Sequence, residues 1–350
     1  MVRRSLVAAA AIFAVATPLT AQQTMMSGPE EWTWSSDRPD AAGPLGMFGA
    51  GTLGMGQIEL TYNFSQMNAR GVWFAKDSLD LATTLALYND APLTRSDIRH
   101  QVRIGYGVTD ELTLVARGEF AVLERETIAN NGLIRTGIEN FGDVEVGAVY
   151  TVYGEGPYRL NVQGGGIIPT GASTTYADTT ASQSGTQTPL PYDMRPGSGT
   201  FGVTAALSGS VQNQVGSLGA QFRMRVNVGS NSAGTAGGYT LGDMYEFNGY
   251  AAYNINEYLS IMAGGRWQSW DNIAGFDDRL DVDGDPHNMG AMLAGQRAML
   301  PMSITLVLPE SSVLGGHRLS FEAIYSMHHD YEGPQLGLDW GLNFGYTITY

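Results

Sequence analysis

Apolar and polar residues alternate with a period of two through much of the chain, and this pattern limits the possible folds more than any other feature. In the closing stretch Gly337–Tyr350, leucine, tryptophan, phenylalanine, tyrosine and isoleucine occupy every second position, with mostly glycine, asparagine and threonine between them. Successive side chains of a β-strand point to opposite faces, so the pattern indicates strands with one apolar and one polar face. We identify twelve such segments: 57–64, 98–106, 111–120, 143–152, 158–163, 200–208, 218–228, 245–254, 259–268, 304–308, 318–325 and 337–350.

The charged residues of these segments fall on the polar phase. An arginine or lysine that faces lipid at mid-depth costs about 2–4 kcal/mol, so these side chains require an aqueous or protein interior. Most segments reach about 9–11 residues, the length with which a tilted strand crosses a bilayer. We therefore predict an all-β fold, a transmembrane antiparallel up-and-down β-barrel of about 12 strands. The residues predicted to line its lumen and govern selectivity are Arg99, Arg103, Arg117, Arg159, Arg223, Arg225, Arg266, Arg318, Glu59, Glu119, Asp143, Glu145, Glu246, Glu322 and Asp339.

The connections between the segments alternate in length. The short ones are 107–110, 153–157, 212–217, 254–257 and 309–316, and the mostly longer ones are 65–96, 122–141, 170–197, 229–240, 271–298 and 328–335. Short periplasmic turns and long extracellular loops are typical of outer-membrane barrels. A β-sandwich has no reason to sort its loops in this way.

The first residues have the layout of a secretory signal peptide. Arg3 and Arg4 precede the apolar residues 6–16, a stretch too short to span a bilayer, and we expect cleavage after Ala21. We predict a signal peptide over 1–21, an N-terminal segment over 22–55 and the barrel over 56–350. The segment 22–55 is rich in glycine, proline and methionine, and two interpretations stay open, a plug in the lumen or a mobile periplasmic tail.

Composition excludes some classes of function. The chain has no cysteine, which removes disulfide and thiol chemistry. Its formal charge is −15, and loss of Arg3 and Arg4 with the signal peptide would make it −17, which argues against nucleic acid as a partner. We expect no cofactor.

One acidic stretch raises the question of a metal site. Asp281, Asp283 and Asp285 have the spacing that begins a calcium loop. Pro286 and Met292 stand where the EF-hand pattern requires glycine and glutamate. A solvated acidic loop, close to divalent ions that bridge lipopolysaccharide, is the favoured interpretation.

Histidines in the last long connection offer faint candidates for other chemistry. His328, His329 and Met327 are residue types that bind soft metals, and His329 with Asp330 has the residue types of a hydrolase site at a barrel rim. Because no nucleophile–histidine–acid triad can be identified, we predict that the protein is not an enzyme.

Several phrases resemble the outer-membrane transporter family named after the meta-pathway of phenol degradation. They occur in order: "FGDVEVGAVYTVY" (141–153), "IIPTG" (167–171), "GSGTFGV" (197–203), "GYTLGD" (238–243), "GHRLSFE" (316–322) and "YEGPQLGLDW" (331–340), and "SDRPDAAGPLGMFG" (36–49) is similar to the N-terminal segment of one branch. The resemblance implies an outer-membrane channel or transporter for small, often aromatic or hydrophobic compounds. Outer-membrane lipid, lipopolysaccharide and the small-molecule solute are then the expected partners. A structural or adhesion barrel without transport is the main alternative.

The closing alternation also has an expected role in assembly. Phe344, Tyr346, Ile348 and Tyr350 occupy alternate positions and end on an aromatic ring. This arrangement resembles the recognition signal that the outer-membrane assembly machinery reads, so that machinery is a further expected partner.

Overall fold

A computed structural model describes residues 32–47, 51–129, 132–178, 187–235, 237–309, 311–312 and 314–350. The expected signal peptide, residues 1–21, lies outside the described residues. The described residues all belong to one compact unit, Trp32–Tyr350. No helix in this part of the chain is long and apolar enough to cross a membrane.

Eleven strands pair in one closed antiparallel ring, because the last strand also pairs with the first. The expected closed antiparallel β-barrel is thus confirmed. In ring order the strands are β1 (Ile58–Ala75), β3 (Asp90–Thr109), β4 (Leu112–Ala129), β6 (Val144–Tyr153), β7 (Tyr158–Ile168), β10 (Phe201–Gln212), β11 (Gly216–Val228), β13 (Met244–Asn254), β14 (Leu259–Trp270), β16 (Gly295–Val307) and β17 (Arg318–Thr349).

The last strand contains a reversal of chain direction. An odd number of strands cannot close a ring in which every neighbouring pair is antiparallel, because direction must alternate around it. The first part of β17 pairs antiparallel with β16 and its second part pairs antiparallel with β1. The two parts lie side by side, since the ring centroids of Phe321 and Phe344 are 4.9 Å apart and Asn343 Nδ2 donates to Glu322 Oε1 at 2.8 Å. The wall therefore consists of twelve passes of the chain, and the strand β17 provides two of them.

The polarity of the wall is the reverse of that of a soluble protein. On β10 the side chains of Phe201 and Val203 are 64% and 51% exposed, whereas Thr204 is 1% exposed. The apolar phase thus covers the outside of the barrel and the polar phase faces the lumen. This is the arrangement that the alternation predicts for a barrel surrounded by lipid.

The connections at one end are short turns, and those at the other end carry additional structure. We call these the short-turn end and the long-loop end. The long-loop end carries β2 (Asp77–Leu79), α1 (Leu81–Leu87), β5 (Gly132–Phe141), β8 (Tyr176–Ala177), β9 (Thr188–Pro189), β12 (Tyr239–Thr240) and β15 (Ala274–Gly275), with 3₁₀ turns at Tyr192–Met194, Pro286–Asn288 and Gly290–Met292.

Two of the predicted loops are largely strand, and their prediction is corrected here. The expected loop 65–96 is shortened because β1 continues to Ala75 and β3 begins at Asp90. The expected loop 122–141 is a hairpin of β4 with β5. The expected connection 328–335 contains the reversal of direction within β17. Strands that rise beyond the membrane have water or loops on both faces, so they lose the strict alternation on which the prediction relied.

Candidate functional site: the charged lumen

A buried carboxylate forms the centre of a cross-lumen network. Glu145 on β6 is 3% exposed and accepts hydrogen bonds from Arg117 Nη2 at 3.0 Å and Arg223 Nη2 at 2.8 Å. Thr204 Oγ1 on β10 donates to the same carboxylate at 2.8 Å. Because β7 and β10 lie between β6 and β11 in the ring, the bond from Arg223 spans the inside of the barrel. Two guanidinium groups on one carboxylate therefore narrow the lumen at this level.

Most other predicted lumen charges also form ion pairs. Arg225 lies 3.6 Å from Asp143 and Arg266 lies 3.7 Å from Glu322. Arg99 and Arg103 are paired with Glu119 and Glu59, respectively. Positive and negative charges thus neutralise one another on the inner face, an arrangement that leaves little net charge on this part of the wall.

Three predicted residues use other partners. Arg159, beside the short β6–β7 turn, donates from Nη1 to the carbonyl of Tyr158 at 3.0 Å. Arg318 donates from Nη2 to the carbonyl of Ser36 at 2.7 Å. Glu246 accepts a hydrogen bond from Asn248 Nδ2 at 2.7 Å and another from Gln268.

Asp339, also predicted to line the lumen, has an irregular position in the last strand. The strand pairs Asn68 with Trp340 and Ala69 with Leu338, so Asp339 is an extra residue in a β-bulge. A bulge exchanges the two faces of a strand on either side of it. Leu338 is therefore buried, at 4% exposure, against inward-facing neighbours, while Asp339 is exposed.

The described part of the N-terminal segment, residues 32–47, lies against inward-facing side chains of the wall. Ser217 Oγ donates to the carbonyl of Asp40 at 2.6 Å, and Arg266 Nη2 donates to the carbonyl of Leu45 at 2.6 Å. Asp40 itself is 0% exposed, and the residues around it form a short 3₁₀ turn, Pro39–Ala41. The chain at this point thus occupies space inside the ring and satisfies hydrogen-bonding groups of two different strands, β11 and β14.

A second charged cluster ties the connections at the long-loop end to the wall. Arg125 on β4 donates from Nη1 to Asp193 at 2.9 Å and from Nη2 to Asp285, and the two aspartates belong to different connections. Burial alone would raise the pKa of both aspartates, but the charge of Arg125, together with interactions from His287 and, for Asp193, Arg95, holds each pKa below its ordinary value. The backbone N–H of Leu336 donates to His287 Nε2 at 3.1 Å. Two loops are therefore fastened to each other and to the barrel.

Several of these residues are not identified by the alternation in the sequence. Arg125 falls in the stretch 122–141 that the pattern assigns to a loop. Arg95, which also binds Asp193 through Nη1 at 3.4 Å, falls in the stretch 65–96. Both continue the polar phase of their strands, since Arg95 lies two positions before Asp97 and four before Arg99, and Arg125 lies eight positions after Arg117. If the period-two pattern is continued through the positions that break it, Arg95 and Arg125 both fall on the polar face of their strands. The aspartates that they bind have no such signal, because those lie in irregular connections.

The three aspartates considered for a cation do not converge. Asp285 is bound to Arg125, while Asp281 accepts a hydrogen bond from the N–H of Asp283 in a turn of the loop. In the described part of the chain no group of three or more histidine, aspartate or glutamate side chains could hold a metal ion. The arrangement of Asp281, Asp283 and Asp285 thus gives no support to a cation site.

The histidine and aspartate considered for hydrolysis have separate partners. His329 Nε2 lies 2.9 Å from Ser326 Oγ and 2.9 Å from the carbonyl oxygen of Leu338. Asp330 accepts a hydrogen bond from Gln296 Nε2 at 3.2 Å. The geometry therefore does not bring these two side chains into a common site.

The barrel is similar in fold to solved outer-membrane proteins. The COG4313 outer membrane channel from Pseudomonas putida F1 matches with a TM-score of 0.56 and 11% sequence identity, over 86% of this chain and 98% of that one. The CymD monoaromatic hydrocarbon channel matches over 90% of this chain and 98% of its own at 8% identity, with a TM-score of 0.40. The Pseudomonas putida toluene transporter TodX matches over 92% and 99% at 9% identity, also with a TM-score of 0.40.

The match to the COG4313 channel, at a TM-score of 0.56 and 11% identity, shows a shared fold. No protein-family model and no curated protein sequence matches the chain.

Proposed function

We propose that this protein is a channel of the cell outer membrane that passes small apolar or aromatic molecules. The observation that carries the proposal is the reversed polarity of the barrel: an apolar outer surface surrounds an inner face lined by paired charges. An apolar outside is stable in lipid, and a polar inside is the lining of a solute path. The shared fold with an outer-membrane channel adds support, as does the resemblance to the meta-pathway transporter family.

The paired charges on the inner face are proposed to set selectivity. Glu145 with Arg117 and Arg223 joins neighbouring and non-neighbouring strands across the inner face. Paired charges that neutralise one another select less strongly for cations or anions than a ring of charges of one sign does. The size of a solute and its contacts with individual side chains would then decide which solutes pass.

The N-terminal segment is proposed to act as a plug rather than a tail. Its described residues bond to Gln212, Ser217, Arg266 and Arg318, which belong to four strands. If the segment were a tail in solution, these inward-facing groups would form hydrogen bonds with water instead. Opening of the channel would then require that the segment be displaced from the wall.

The closing strand is proposed to carry the assembly signal, with lipid and lipopolysaccharide around the finished barrel. Ile58 and Tyr350 exchange two backbone hydrogen bonds, at 2.9 and 2.8 Å, and these complete the pairing of the first and last strands. The alternate residues Phe344, Tyr346 and Ile348 lie on the same strand.

The alternative is a structural barrel without transport, and one observation favours it. Inward-facing polar side chains such as Asn161, Gln212 and Gln221 are fully buried in the interior. Reconstitution into liposomes distinguishes the two functions. Uptake of a neutral aromatic compound, a sugar and a metal cation is compared side by side, with protein-free liposomes as control. We expect faster uptake of the aromatic compound, and absence of uptake for every solute would refute the channel.

A further inference from the structure

Arg297 differs from the other arginines on the inner face of the barrel. The neighbouring inner-face arginines pair with carboxylates, as Arg95 does with Asp97 and Asp193, and Arg266 does with Glu322. Among the described residues no carboxylate lies within ion-pair distance of Arg297. Register places it on the inner face, opposite Gln268 on one side and His329 on the other.

The guanidinium group of Arg297 is held in a fixed orientation. Its Nε donates to Gln268 Oε1 at 2.8 Å, and Gln268 in turn donates to Glu246. Its central carbon lies 5.6 Å from the ring centroid of Trp270, in a cation–π contact. Within the described residues, the two terminal nitrogens have no hydrogen-bond partner, and the side chain is partly exposed. One edge and one face of the group are thus occupied, and the outer pair of nitrogens remains available.

Aromatic surface adjoins the free edge. The rings of Trp270 and Tyr331 lie 5.7 Å apart, and both pack over Gly295. A Cβ at position 295 would lie 2.7 Å from Tyr331 Cδ1 and 3.1 Å from Trp270 Cζ2, so a side chain there would displace a ring. Glycine at this position allows both rings to remain beside Arg297.

We propose that Arg297, Trp270 and Tyr331 form a binding site for a small aromatic carboxylate, which is a more specific solute class within the proposed channel function. The paired terminal nitrogens of a guanidinium group match the two oxygens of a carboxylate. Trp270 is partly exposed and offers apolar surface to the ring of the ligand, while Tyr331, at 3% exposure, packs against Trp270 and supports it. Glu246 lies nearby, but its carboxylate is hydrogen-bonded to Gln268 and Asn248.

The site is tested by calorimetric titration of the folded protein in detergent with three probes. Benzoate has both a ring and a carboxylate, benzyl alcohol has only the ring, and acetate has only the carboxylate. The variants are Arg297→Gln, which removes the charge, and Arg297→Lys, which keeps the charge and loses the fork. Arg135→Gln is the control, because Arg135 is an exposed arginine of the β5 hairpin that pairs with Glu126.

We expect benzoate to bind more tightly than either other probe. Arg297→Gln should weaken benzoate binding by about tenfold or more, the usual effect of losing a hydrogen-bonded charge pair. Arg297→Lys should bind at an intermediate level, and Arg135→Gln should bind as the unmodified protein does. Equal binding of benzoate to Arg297→Gln and the unmodified protein would overturn the proposal, as would equal binding of acetate and benzoate. Heat-modified mobility in gels verifies that each variant is folded.

Liposome uptake separates this proposal from the channel function on which it rests. Uptake of benzyl alcohol with no binding of benzoate would refute the Arg297 site and leave the channel intact. Binding of benzoate that depends on Arg297, without uptake of any solute, would refute transport and leave the site intact.

Discussion

Replacement of Glu145 by glutamine should destabilise the barrel more than the loss of any exposed charge. The substitution keeps the shape of the side chain and removes the charge that Arg117 and Arg223 approach to 3.0 and 2.8 Å. At an effective dielectric constant of about 20, each attraction at such distances amounts to about 5–6 kcal/mol. Much of this is offset by the desolvation of three charged groups. Breaking a buried ion pair on one side typically costs about 3–5 kcal/mol, and we expect a loss in that range.

The matched control is Glu126→Gln. Glu126 pairs with Arg135, whose side chain is 78% exposed, and an exposed pair of this kind contributes at most about 1 kcal/mol. Both variants are unfolded with urea in lipid vesicles, and tryptophan fluorescence reports the transition. The free energy of unfolding should fall several times further for Glu145→Gln than for Glu126→Gln.

A double-mutant cycle tests whether the effect arises from the ion pair. Arg223→Gln is combined with Glu145→Gln, and the loss in the double variant should be smaller than the sum of the two single losses by about 1 kcal/mol or more. Additive losses, or a loss for Glu145→Gln no larger than that of the control, would refute the reasoning that a buried charge network braces the lumen.

Three further outcomes are expected. A Leu45→Cys/Gly345→Cys pair is chosen because the two positions are adjacent, as a Cβ at 345 would lie against Leu45 Cδ2. It should block solute uptake when oxidised and restore it when reduced. Equal uptake in both states would contradict a plug. The carboxylates of Asp193 and Asp285 have depressed pKa values, so their stabilisation is fully present above the ordinary pKa of about 3.9 and is lost as pH falls through the depressed values. The protection factors of the loop amides, which are exchange rates corrected for the intrinsic rate at each pH, should therefore be constant from about pH 8 to 5 and fall only below about pH 4. A fall in protection already at pH 6 would count against this reasoning. Deletion of Tyr350 removes both backbone hydrogen bonds to Ile58 and should reduce the yield of heat-modifiable barrel. The control variant Asp339→Asn should assemble normally and leave ion selectivity unchanged. A normal yield without Tyr350 would argue against its role in assembly.

The class of the fold could be predicted from the sequence because its signal is local. The backbone of a strand sets a period of two, and the cost of a charge in lipid fixes which phase faces outward. The side of the barrel wall on which Phe201, Val203 and Thr204 lie can therefore be predicted without knowing which residues they contact. Arg117, Glu145 and Arg223 could be assigned to the inner face for the same reason.

The partners of these side chains, and the positions at which the alternation breaks, could not be predicted in this way. The bond between Arg125 and Asp285 joins residues 160 positions apart, and the bond between Ser217 and the carbonyl of Asp40 joins residues 177 apart. Such distances depend on the closure of the whole ring and on the paths of the loops. The bulge at Asp339 shifts the phase of a strand by one residue, and it cannot be recognised from the regular alternation around it.

The sequence by itself thus determined a barrel with an apolar outside and a charged inside, because strand periodicity and the transfer of charge into lipid act residue by residue. Only the tertiary structure decided which charges neutralise each other across the lumen, that the chain around Asp40 and Leu45 lies against the inner face, and that Arg297 has no carboxylate partner among the described residues. Those features depend on which strands and loops meet in space, and that is fixed when the first and last strands pair and the barrel closes.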